Sequence, residues 1–189
     1  ESYEKAISID PDYFEAFNNL GTAFKDIDKL DEAVSSYEKA LKINPAFSDS
    51  YNNLGNVLKK LGKLDDALES YEKGIAINPY DVDIHNNLGR LFSKLKRMDE
   101  ALHSYKTAIK INPQHAETYK NLAIIFMDLD RLEESFNYVE KAISLNPKYA
   151  EGHSMKGRIL SEFDQLDEAL ESFNKADQID PNLYFILNT

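Results

Sequence analysis

The chain has no cysteine among its 189 residues. Disulfides, thiolate metal ligands and a thiol nucleophile are therefore excluded. Positive charge is short: 22 Lys and Arg stand against 33 Asp and Glu, a formal net charge of -11. That balance repels a phosphate backbone and an anionic membrane surface, so neither nucleic acid nor membrane is an expected partner. No apolar run is long enough to span a bilayer. Phosphate-binding Gly-rich loops and the Gly-x-Ser-x-Gly turn are missing as well. No signal peptide is visible, and Glu1 stands where an initiator Met would, so the chain reads as a piece of a longer protein. The compartment is not fixed by any feature, with the cytoplasm favoured.

What is present is a period. All six prolines (Pro11, Pro45, Pro79, Pro113, Pro147, Pro181) lie 34 residues apart, and Asp or Asn precedes each. Proline lacks the amide hydrogen that a helix interior needs and pushes the preceding residue out of the helical region. Each Asx-Pro pair is thus expected to end a helix. Between the prolines the columns repeat. Leu20, Leu54, Leu88 and Leu122 precede Gly21, Gly55, Gly89 and Ala123, with Gly157 in the same column. Ala33, Ala67, Ala101, Ser135 and Ala169 precede Tyr37, Tyr71, Tyr105, Val139 and Phe173. Spacings of three and four put these residues on helical faces. Short polar joints such as Asp28-Lys29 and Gly62-Lys63 separate the two sets, and acidic pairs follow them where a helix dipole favours negative charge. Small residues where two helices cross let the backbones approach, and the aromatic column fills the gap. One hairpin buries too little alone, so neighbours must stack.

This pattern resembles the tetratricopeptide repeat (TPR) family. The resemblance implies an all-α right-handed TPR superhelix, an alpha-alpha solenoid of antiparallel helix hairpins. Counting from the prolines gives repeats at 14–47, 48–81, 82–115, 116–149 and 150–183. Residues 1–13 read as the second half of an earlier repeat, and 184–189 as the start of a further helix or a C-terminal cap. Lys156 in the Leu column, Ser135 in an Ala column and Val139 in the aromatic column depart from the pattern. The fourth and fifth repeats are expected to pack less tightly for that reason.

No catalytic constellation survives the repeat. His85 and His153 occupy a column otherwise held by Phe17, Tyr51 and Tyr119, so they read as packing or groove-edge rings. Asp26-Ile27-Asp28 and Asp128-Leu129-Asp130 lack the further ligands and the Gly of a calcium loop. No metal, no cofactor and no enzymatic activity are expected of this fragment.

The variable columns of each first helix remain for a partner. Asn19, Asn53, Asn87 and Asn121 form one column, beside Asn18, Asn52, Asn86 and Lys120. Asparagine is a mediocre helix former, so its recurrence in helix interiors calls for a physical reason. A primary amide carries donors and an acceptor and can read a peptide backbone whatever its side chains. The Asn-Leu-Gly recurrence is similar to the TPR region of the O-linked N-acetylglucosamine transferases. There such a ladder holds peptide backbone, which implies the same role for Asn19, Asn53, Asn87 and Asn121; the column breaks at Met155. On that reading, changing Asn53 and Asn87 together to Ala weakens a bound peptide and leaves the melting temperature nearly unchanged. The inter-repeat hydrogen bond is the alternative role for the column. Asn56, Lys59, Lys60, Arg90, Lys94, Lys120 and Arg158 also fall on groove-facing columns, and Glu15, Asp49, Asp83, Glu117 and Glu151 form an acidic one. The chaperone-tail TPRs clamp a carboxylate with lysines where this chain has acids and asparagines, so a chaperone C-terminus is not the expected ligand.

Three functions fit: a protein- or peptide-binding scaffold, the substrate-recruiting arm of a larger enzyme such as a glycosyltransferase, and a self-assembly module. The last rests on unlike apolar ends, Tyr3, Ala6 and Ile7 at one and Leu183-Tyr184-Phe185-Ile186-Leu187 at the other. These would join head to tail as an end-to-end homo-oligomer, unless the second folds back on the fifth repeat.

Overall fold

The computed structural model describes residues 2–183. Among them there are eleven helices and no strand. The chain divides into two compact units, Glu1–Leu95 and Lys96–Thr189. The first holds α1 (Ser2–Ile9), α2 (Phe14–Asp26), α3 (Leu30–Ile43), α4 (Ser48–Lys60), α5 (Leu64–Ile77) and α6 (Val82–Lys94). The second holds α7 (Met98–Ile111), α8 (Ala116–Asp128), α9 (Leu132–Leu145), α10 (Ala150–Glu162) and α11 (Leu166–Ile179). In unit one α2 packs on α3 and α4 on α5; in unit two α8 packs on α9 and α10 on α11. The architecture is the expected all-α hairpin solenoid.

Two local devices reverse the chain. At the joint inside a hairpin one residue takes positive φ: Asp28 at 61°, Gly62 at 79°, Lys96 at 60°, Asp130 at 58° and Asp164 at 60°. The amide after it reaches back five residues, as Lys29 N–H does to the Phe24 carbonyl and Lys63 N–H to the Leu58 carbonyl, both at 2.9 Å. A left-handed residue with that bond closes a helix and turns the chain sharply. Asp tolerates the conformation better than most residues, which accounts for three of the five. Between hairpins, the Asx before each proline accepts a hydrogen bond from the amide two residues on. Examples are Asn44 Oδ1 from Ala46 N–H at 3.0 Å and Asn112 Oδ1 from Gln114 N–H at 2.9 Å. The side chain thereby satisfies an amide that the ended helix cannot.

The small columns are filled as the sequence suggests. A Cβ added to Gly21 would lie 2.7 Å from the Tyr37 ring, and one added to Gly55 2.6 Å from the Tyr71 ring. At Gly157 it would lie 2.8 Å from Phe173. Tyr37 and Tyr71 are fully buried.

The expected loosening of the later repeats is not found. In the fourth repeat Ala123 carries the extra methyl, and the shorter Val139 replaces the aromatic ring that would strike it. Ala123, Ser135 and Val139 are all 0% exposed. The Ser135 hydroxyl donates to the Ala123 carbonyl at 2.8 Å, so the polar intruder is satisfied. In the fifth, Lys156 lies across the Phe136 ring and its ammonium reaches Glu140 at 2.7 Å. Its stem covers apolar surface while its charge stays wet. Of the C-terminal apolar run, Leu183 is buried against Ala150 and Ala176; residues 184–189, and with them the rest of the cap or sticky-end expectation, lie outside the described residues. At the other end Ala6 and Ile7 are half-buried and Tyr3 is exposed.

Candidate peptide-binding face

The asparagines of unit one are tied across repeats. Asn18 on α2 is buried, and its Oδ1 accepts from the Ser50 hydroxyl at 3.0 Å and from Asn53 Nδ2 at 3.1 Å, both on α4. Asn52 Oδ1 on α4 accepts in the same way from Asn87 Nδ2 on α6 at 2.9 Å. The two asparagine columns thus act together: one residue of each pair accepts, and the ladder residue of the next repeat donates. This is the inter-repeat role weighed above for the column, and it revises the expectation that Asn53 and Asn87 are thermally neutral. Removing either amide also removes a bond that joins two repeats. Each ladder amide keeps a second N–H and its carbonyl oxygen. Asn53 is half-buried and Asn87 is buried, at 9% exposure. Asn19 is exposed, while Asn86 and Asn121 are buried.

Near the C-termini of α4 and α6 a cavity of about 440 Å³ is lined by Asn56, Lys59, Lys60, Arg90 and Lys94. Asn56 Oδ1 accepts from the Tyr71 hydroxyl at 2.8 Å, so the amide offers the cavity its N–H donors. Lys60 pairs with Asp28 at 2.6 Å. Lys59 Nζ has no hydrogen-bond partner and sits 5.9 Å from the Tyr71 ring centroid. Burial, with Arg90 and Lys94 adding to it, lowers the Lys59 ammonium to about 8.

That shift has a consequence for stability. The unfolded lysine titrates near ~10.4, so the folded state holds this proton more weakly. Below about pH 8 both states are protonated and the folded state carries the full penalty of the buried charge. The penalty is relieved as pH rises from about 8 to the unfolded value. Lys59→Met should therefore melt above the parent at pH 7, with the gap narrowing by pH 10. An equal gap at both pH values would contradict the assignment.

In unit two a cavity on the first helices mixes apolar and polar walls. Ile124, Met127, Tyr149 and Met155 line this cavity of about 320 Å³ together with Lys120, Glu151, Ser154 and Arg158. Lys120 pairs with Glu117 at 2.9 Å and lies 5.8 Å from the Tyr149 ring centroid. Sequence reasoning missed Ile124, Met127 and Tyr149, and treated Met155 only as a break in the ladder. Helical spacing alone marks them as ordinary apolar residues; the signal was that Ile124 replaces the polar Asn56 and Arg90 of its own column.

The remaining candidates of the sequence fall to structural roles. His85 Nε2 donates to the Pro79 carbonyl at 2.9 Å and His153 Nε2 to the Pro147 carbonyl at 3.1 Å, each bracing the turn before its helix. Among the described residues no group of three or more His, Asp or Glu stands where it could hold a metal ion.

Comparison with known proteins sets the family. The model described as "TPR repeat" matches residues 1–28, 23–62 and 55–96. Three models described as "Tetratricopeptide repeat" match 82–115, 116–149 and 138–171. No curated protein sequence matches the chain. Among solved structures it resembles YrrB, described as a TPR protein with an unusual peptide-binding site, at 22% identity and TM-score 0.70, covering 100% of this chain and 97% of that one. PilF of Pseudomonas aeruginosa gives 20% identity and TM-score 0.83 over 94% of this chain and 78% of that one. MamA of Desulfovibrio magneticus gives 19% and 0.75 over 90% and 96%. At such identities these likenesses speak for the fold, and with the matched repeats spanning most of its length the chain belongs to the tetratricopeptide repeat family.

Proposed function

We propose that the chain is a non-catalytic protein-interaction scaffold that holds an extended partner segment along its first helices. One observation carries the reading. Asn53 and Asn87 are each fixed to the preceding repeat by one amide donor, which leaves each side chain an acceptor oxygen and a second N–H for a partner's backbone. An acceptor pre-set in this way loses little side-chain freedom when it takes a partner's backbone N–H. With about 8–10 Å between packed helices and about 3.3 Å per extended residue, one asparagine would meet roughly every third residue of the partner. At about 1 kcal/mol net per hydrogen bond, the ladder alone does not offset an association penalty of about 4–15 kcal/mol. Side-chain contacts elsewhere along the first helices must supply the rest. Affinity in the micromolar range or weaker, about -8 kcal/mol, is expected. The likeness to the glycosyltransferase arm rests on Asn19, Asn53, Asn87 and Asn121 alone, so the scaffold reading is preferred to a substrate-recruiting arm.

The test is nuclear magnetic resonance with peptides selected from a random library. Bound peptide should shift the side-chain amide signals of Asn53 and Asn87 together with residues of α4 and α6. Shifts confined to α3, α5, α7 and α9 would place the partner on the second helices and sink the proposal.

A further inference from the structure

Unit one carries a cluster that the asparagine ladder leaves unexplained. In a chain of net charge -11, four cations line one cavity without a carboxylate among its walls. Part of this has a plain structural cause: Lys59, Lys60 and Lys94 lie in the last turns of α4 and α6, where the helix dipole favours positive charge. That cause does not account for Lys59. A surface lysine at a helix end extends into water, whereas this ammonium is shut from solvent without a hydrogen-bond partner. A buried polar group is normally paired, and a buried charge left unpaired is expensive.

The surroundings say what would pair with it. Asn56 gives its oxygen to Tyr71 and turns N–H donors to the cavity; Lys59, Lys60, Arg90 and Lys94 are donors by nature. A cavity whose side chains offer donors only fits an oxyanion. Among the described residues, Lys60 alone of the four cations has a carboxylate partner, Asp28. Among the described residues no carboxylate pairs with Lys59, Arg90 or Lys94, so a monoanion would leave two positive charges unanswered and a dianion one. The first repeat shows the contrast: Lys25, which holds the column place of Lys59, is answered by Asp26 at 3.6 Å. In the fourth repeat the same places hold Met127 and Asp128. The arrangement is particular to the second and third repeats and is not a property of the period.

We propose that the cavity of Asn56, Lys59, Lys60, Arg90 and Lys94 is an anion subsite that receives the phosphoryl group of a phosphorylated protein segment lying on this face. The proposal rests on the scaffold reading above and names the chemistry of its partner. A phosphoserine or phosphothreonine brings close to two negative charges and three acceptor oxygens, matching the three unpaired cations and the all-donor wall. Arg90 supplies a planar fork suited to two phosphoryl oxygens, and the Lys59 ammonium gains the partner it lacks.

The experiment compares three probes on the full chain: a degenerate phosphoserine peptide pool, the same pool with serine, and inorganic phosphate. The phosphorylated pool should bind at least tenfold more tightly at low salt. Lys59→Met, and separately the exposed Arg90→Gln, should abolish that preference while the serine pool is unaffected. Arg90→Gln keeps the test meaningful if the buried substitution disturbs folding. Equal binding of the two pools, unchanged in both variants, would overturn the phosphoryl subsite and leave the scaffold reading standing. If neither pool binds, the scaffold reading and the proposal fall together, even where inorganic phosphate alone shifts the Lys59 signals. A single-stranded oligonucleotide that competes as well as the phosphopeptide pool would overturn the assignment to a protein segment.

Discussion

Replacing Gly55 by alanine should destabilise the chain by about 1–3 kcal/mol, and replacing Tyr71 by valine in the same molecule should recover part of the loss. The added methyl would sit 2.6 Å from Tyr71 Cε1. The ring has nowhere to go: it is 0% exposed, and its hydroxyl is held by Asn56 at 2.8 Å. Either the ring leaves its rotamer or the helices part. Gly55→Leu should be worse, at the upper end of that range or beyond, because three further carbons meet the same ring. The rescue is suggested by the fourth repeat, where Ala123 and Val139 occupy these two places and both are fully buried. Tyr71→Val alone is destabilising because it leaves a void. The informative quantity is therefore the coupling in a double-mutant cycle followed by denaturant unfolding. A favourable coupling of about 0.5–3 kcal/mol is expected for residues in such contact; additive effects would mean that α4 and α5 do not cross where the glycine sits.

Asn18→Ala should be nearly as damaging, although it deletes a polar residue from a face read as a partner site. Its oxygen is the acceptor for two groups of the next repeat, the Ser50 hydroxyl and the Asn53 amide. Ser50 is 0% exposed, so water cannot replace the lost partner. An orphaned buried donor costs roughly 1–3 kcal/mol, and the half-buried Asn53 adds a smaller amount. Asn18→Asp keeps the acceptor and should be milder. Removing both ends, as in Asn18→Ala with Ser50→Ala, should be less harmful than the single change, since no orphaned hydroxyl remains. Thermal melts of the three variants decide it. A parent-like melt for Asn18→Ala would mean that the bridge does not hold the repeats together.

The period, the hairpins and both kinds of turn could be read from the residues alone. Their causes are local: a proline that cannot continue a helix, an Asx that captures an amide two residues on, and an Asp or Gly that accepts positive φ all act within about five residues. The crossing columns were also legible, because repetition shows a small residue facing a large one again and again. The fourth repeat shows where that reading fell short. Ala123, Ser135 and Val139 looked like three separate departures, and only their packing makes them one compensated set.

For the candidate site the sequence determined which residues stand on the first helices and no more. Asn18 and Asn53, or Asn52 and Asn87, are far apart in the chain, and nothing local distinguishes an amide aimed at the next repeat from one aimed at a ligand. Only the stacking of α2, α4 and α6 decides which amide gives its oxygen to the next repeat and which gives its N–H to the one before. The same holds for the two adjacent lysines of α4. Lys60 finds Asp28 from the preceding hairpin, whereas Lys59, one position earlier, turns inward beside Tyr71 and meets only other cations. Successive residues on a helix point about 100° apart, so which of two neighbouring cations is answered is settled by what the next repeat places opposite each.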